Sequence, residues 1–164
     1  LLAPIWPAEH FVQAFAPDTQ SLVTVVEAYR TSPDVEGYRS IAARLADGLA
    51  AEAEGLQFGD AVRAWRQAHN LYVELGHVPG ADRTARAAVA ADPNNLQARR
   101  ALGKWLFSQQ QYSDAIEHLE WCKRRNPEDS QIAGWLQAAI ARQPAGPGQT
   151  VEVITPASYS TGGL

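Results

Sequence analysis

The side chains best suited to bind or react fall at a few places in this 164-residue chain. His118 and Cys122 stand one helical turn apart and could share a metal ion if further ligands joined them. His69 and His77 flank Gly76, with Pro79 just beyond, and no carboxylate or thiolate completes a recognisable set around them. Trp105, Trp121 and Trp135 offer faces on which sugars or bases stack, but their spacing is that of core residues. The run Lys123-Arg124-Arg125 ends a helical stretch, where positive charge complements the dipole, and it reads as a cap and not as a nucleic-acid patch. No serine sits in a nucleophile elbow, no glycine-rich loop precedes Lys-Ser or Lys-Thr, and no HExxH occurs. The expectation is therefore a chain that is not an enzyme and uses neither cofactor nor metal.

Composition narrows the class. With 46% hydrophobic and 20% charged residues the chain suits a water-exposed globular domain, and no apolar run approaches the roughly 20 residues that cross a bilayer, so no membrane insertion is expected. Cys122 is the sole cysteine, which excludes an intrachain disulfide and leaves cytoplasm and periplasm equally open. Net charge is −4 and the pI is near 5.5, which gives no support to nucleic-acid binding. The sign is unevenly spread: up to Gly59 there are eight acidic and three basic side chains, whereas Asp60 to Gln143 carries nine acidic and eleven basic. Methionine is absent, and the opening Leu1-Leu2-Ala3-Pro4 reads as a cut fragment or as the mature end left after removal of an anchor or signal.

The elements that must position these residues are helices. Residues 1–17 read as an irregular arm with a short helix at about 8–15, carrying Ile5, Trp6, Phe11, Val12 and Phe15 to pack on the body. After Asp18, Leu22, Val25, Val26 and Tyr29 recur at helical spacing. A strand is the alternative for the Val-Thr-Val-Val centre, but nothing before residue 150 would pair with it. Ser32-Pro33-Asp34 predicts a helix start, with serine capping and proline first in the helix. That helix runs through Ile41, Leu45 and Leu49 to Gly55, and Asp60 is expected to cap the next, which Gly76 and Pro79 break. Helices follow from Ala81 to Ala91, Leu96 to Ser108, Ser113 to Arg125 and Ser130 to Arg142. Residues 144–164 are rich in Pro, Gly, Ser and Thr and read as a flexible C-terminal tail.

Two of these helical pairs repeat each other. Moving Trp65, Ala68, Tyr72, Gly76, Ala81, Ala88 and Pro93 forward by 34 residues gives Arg99, Leu102, Leu106, Gln110, Ala115, Cys122 and Pro127. The first copy reads Trp65-x2-Ala68-His69-x2-Tyr72, Ala81-x3-Ala85, Pro93; the second reads Arg99-x2-Leu102-Gly103-x2-Leu106, Ala115-x3-Leu119, Pro127, with Tyr112 as the packing aromatic of the turn. In these residues the chain resembles the tetratricopeptide repeat family, whose pattern is W-x2-L-G-x2-Y, A-x3-F, P. Ala68 and His69 stand where that pattern has leucine and glycine.

The resemblance implies an all-α fold, a right-handed superhelix of stacked antiparallel helical hairpins, or α-solenoid, over 18–143. It would comprise a divergent hairpin at 18–59, repeats at 62–95 and 96–129, and a capping helix at 130–143. Stacking of this kind usually needs at least about three units, which the divergent hairpin would complete. Cys122 would fill a small buried position of the pattern. The resemblance also implies a concave groove lined by the first helix of each pair, with Arg63, Arg66, Asn70 and Val73 beside Gln97, Arg100, Lys104 and Phe107 as ligand-binding residues. Four cations with amides could hold an acidic peptide or a terminal carboxylate, although the same residues would also serve as a solvated helix face. Arg66 and Asn70 match two members of the carboxylate clamp of chaperone-binding relatives, whereas Ala101, Gln131 and Trp135 depart from it, so chaperone tails are not expected.

The expected function is thus a non-catalytic protein-protein interaction module, a piece of a larger bacterial protein that binds a partner protein or peptide. The alternatives are a homo-oligomer in which the acidic front half or the tail of one copy lies in the groove of another, and an accessory domain of an enzyme whose catalytic part lies elsewhere.

Overall fold

The computed structural model describes residues 18–143. The expected arm at 1–17 and tail at 144–164 lie outside the described residues. Within them the chain is all helix: α1 Thr19–Tyr29, α2 Val35–Gly55, α3 Phe58–Glu74, α4 Val78–Ala91, α5 Leu96–Ser108, α6 Tyr112–Arg125 and α7 Ser130–Arg142, with no strand among the described residues. The β-branched run near residue 25 is helical because Leu22, Val25, Val26 and Tyr29 make one buried stripe that packs on α2.

Each helix packs on the next, and connections of two to five residues make those neighbours antiparallel. Beyond these successive contacts, α3 touches α5 and α5 touches α7. The buried residues of α1 through α7 form one continuous core, from Leu22 to Ile132.

Local geometry repeats with the sequence. Gly76 (φ 71°) and Gln110 (φ 61°), 34 residues apart, both take the left-handed conformation that ends a helix. Each is followed by the same reach-back bond, His77 N–H to Tyr72 O at 2.8 Å and Gln111 N–H to Leu106 O at 2.9 Å. The small residues at matching places, Ala81 with Ala115 and Ala88 with Cys122, are buried in both copies and let the paired helices approach closely. At Gly103 an added Cβ would lie 3.0 Å from the Leu119 side chain, so α5 and α6 touch there through bare backbone.

Three helix starts differ from expectation. For α2 the cap is Asp34, which accepts from Gly37 N–H at 2.8 Å; Ser32 instead accepts from Asp34 N–H, and Pro33 precedes the helix. The start of α3 is Phe58, not the residue after Asp60; Gln57 makes no side-chain cap, and Asp60 sits in the first turn paired with Arg63 at 3.1 Å. Pro79 opens α4, where a missing N–H costs nothing, while the His77 ring accepts from Gly80 N–H at 3.1 Å.

Candidate functional site

A hollow of about 340 Å³ opens between α3 and α5. From α3 it takes His69, Asn70 and Val73; from α5 it takes Ala101, Lys104, Trp105 and Ser108. Lys104, Trp105 and Ser108 follow Ala101 by three, four and seven positions, so these α5 residues form one flank of the helix. Its lining is mostly apolar, with an imidazole, Asn70 and the Lys104 side chain added, the Lys104 ammonium lying 5.7 Å from the Trp135 ring of α7.

Two bonds hold the floor. The His69 ring bonds through Nδ1 to Ala81 O at 2.9 Å, and Trp105 donates its indole N–H to Asp82 at 3.3 Å. The two rings meet edge to face at 5.5 Å. Burial, with the nearby Arg66 and Lys104 charges, pushes the His69 pKa below its ordinary 6.5 and outweighs the Ala81 bond and Asp82. The ring is therefore neutral at pH 7, Nδ1 carries the proton given to Ala81, and Nε2 remains an acceptor.

The eight expected ligand residues divide. Asn70, Val73 and Lys104 line the hollow, and Arg66 lies close enough to act on His69. Arg66 and Lys104 have no carboxylate partner among the described residues. Arg63 is drawn elsewhere: held by Asp60, it lines a second hollow of about 490 Å³ with Thr19, Val23 and Leu49. Arg100 is taken by α7, 3.6 Å from Asp129, bonded to Gln131 at 2.5 Å and stacked on Trp135. Phe107 turns away against Tyr112, with Arg142 over its ring. Gln97 is exposed in the first turn of α5.

The physical reason is that the hollow lies between two helices, so each contributes the flank facing the other and not its outermost stripe. His69, Ala101, Trp105 and Ser108 were missed for that reason. Their signal is available in the sequence, since the positions beside Lys104 on the α3-facing side are 101, 105 and 108.

The remaining candidates are structural. Cys122 is fully buried, its thiol is pushed up to about 11 by burial, and its sulfur faces Leu96 O at 3.9 Å. His118 Nδ1 is the one buried side-chain polar atom without a partner among the described residues; burial first, then Arg99, lower its pKa and keep the ring neutral. No group of three or more His, Cys, Asp or Glu is disposed to hold a metal among the described residues. Trp65 and Trp105 are buried, whereas Trp121 lies under Arg99 and Arg125. No helix among the described residues is long and apolar enough to cross a membrane. No family model matches this chain, and no curated protein matches it.

Proposed function

We propose that this chain is a non-catalytic interaction module of the tetratricopeptide type, a right-handed stack of helical hairpins that captures an acidic protein segment in the hollow between α3 and α5. The observation that carries the reading is the pairing of an open, mostly apolar recess with two cations, Arg66 and Lys104, that have no carboxylate partner among the described residues. A ligand side chain would bury apolar surface against Val73 and Trp105 while its carboxylates meet the cations. The walls are helices fixed by core contacts, so little ordering of the module opposes binding. Further support comes from the 34-residue recurrence of helix-ending geometry at Gly76 and Gln110.

Fluorescence anisotropy of a labelled peptide of glutamates around one aromatic residue tests this. Binding should weaken with added salt, because screening at 0.1 M acts over about 10 Å. Replacing Arg66 and Lys104 together by glutamate should abolish it, while Arg63→Ala should leave it unchanged. Equal binding by the double variant would overturn the proposal.

A further inference from the structure

Phe58 is placed where an aromatic side chain has no local reason to be. It is 71% exposed and takes φ 47°, the left-handed conformation that costs a non-glycine residue steric strain. Gly55 and Gly59 lie three residues before it and one after, so glycine is available locally and the strained place still carries phenylalanine. Leu56, also exposed, stands two residues before it. Together they make an apolar knob at the α2 to α3 corner, flanked in sequence by the exposed acids Glu52, Glu54 and Asp60. Among the described residues only Asp60 of these is in an ion pair, with Arg63.

The hollow between α3 and α5 has the opposite character: a concave apolar recess with an aromatic floor, Lys104 in its lining and Arg66 one turn before His69 and Asn70 on α3. Knob and hollow lie on different parts of one chain and share no residue. We propose that Phe58 of one copy seats in the hollow of the next, its ring against Trp105 and Val73, with Glu52 and Glu54 near Arg66 and Lys104. This rests on the reading of the hollow as a binding site and names its partner as a second copy of this chain. Such a contact joins different surfaces; made in one direction only, it builds rings or open strings. The acidic excess up to Gly59 and the basic excess after it favour this head-to-tail order.

Sedimentation velocity over a concentration series tests the inference with two variants. Phe58→Gly removes the knob and relieves the backbone, so it should melt no earlier than the parent chain. Lys104→Glu keeps the knob and reverses the charge of the hollow. The parent should associate progressively up to about 100 μM, and each variant should associate at least about thirtyfold more weakly. Mixed together, the variants should form a dimer that grows no further, because only the knob of one fits the hollow of the other. A parent chain that stays monomeric throughout, or associates equally well as Phe58→Gly, would overturn the inference. The acidic peptide separates the two readings. If a monomeric parent binds it, the hollow stands and self-docking falls; if it binds neither peptide nor itself, both fall.

Discussion

The gap between α3 and α5 and the gap between α5 and α7 are built on matching positions of the repeat, yet one is open and the other is filled. Arg66 corresponds to Arg100, and the residue capping the following helix is Asn95 in the first case and Asp129 in the second. Both caps accept from two backbone N–H groups, Asn95 from Gln97 and Ala98, Asp129 from Gln131 and Ile132. Only the aspartate carries charge, and it holds Arg100 at 3.6 Å. Where Trp135 lies beneath Arg100 and Lys104 in the second gap, the first has Ala101. A carboxylate and an indole thus close one gap, and their replacement by an amide and a methyl leaves an open recess in the other, with Arg66 lacking a carboxylate partner among the described residues. The lesson is that the same helical frame gives a filled seam or an open recess according to two side chains.

The largest expected effect falls on both gaps at once. Leu106 is fully buried in α5, the helix they share, and Leu106→Ala should cost about 2–5 kcal/mol in urea unfolding. A loss confined to binding, with stability unchanged, would separate the gaps from the core. Next, Ala101→Trp copies the filled gap into the open one. Peptide affinity should fall at least about tenfold with no loss of melting temperature, since the indole enters open space; undiminished affinity would place the ligand elsewhere.

Exchanging the caps sharpens the electrostatic half of the comparison. Asn95→Asp should give Arg66 a counter-charge and weaken capture of an acidic peptide about two- to fivefold. Asp129→Asn retains the cap while removing the charge. Its pair with Arg100 is partly exposed, at 15% and 27%, so the stability loss should be about 0.5–1 kcal/mol in denaturant titration. Smallest is the pH response of His69. Its folded-state pKa lies below the ordinary 6.5, chiefly through burial. As pH falls through 6.5 the unfolded chain takes up a proton that the fold resists, so stability is complete above 6.5 and declines below it until the folded-state pKa is reached. His118 shifts in the same direction for the same first cause. Comparing unfolding free energy at about pH 7.5 and 5.5, His69→Gln should show a smaller decline than the parent; an identical decline would assign it to other groups.

Much of the frame was legible because helical periodicity and punctuation are local. Leu22, Val25, Val26 and Tyr29 marked a buried stripe despite their β-branched centre, and Ala81, Ala88, Ala115 and Cys122 marked the close approaches. Helix starts at Phe58 and Val78 were less legible, since Gln57 supplies no capping side chain and His77 caps through a ring nitrogen. The candidate site was legible by half. Asn70, Val73 and Lys104 come together, but Arg100 is claimed by Asp129 and Phe107 by Tyr112, and those choices depend on which neighbour each helix flank meets. Asp60 and Arg63 stand three residues apart, the spacing of a helical ion pair, which the cap and groove assignments passed over.

The most direct test of the open recess is a backbone amide NMR titration of the full chain with the acidic aromatic peptide. Shift changes should gather at Asn70, Val73, Ala101, Lys104 and Ser108 and spare Gln131 and Trp135. Changes centred on the α5 to α7 gap, or none at saturating peptide, would contradict the account.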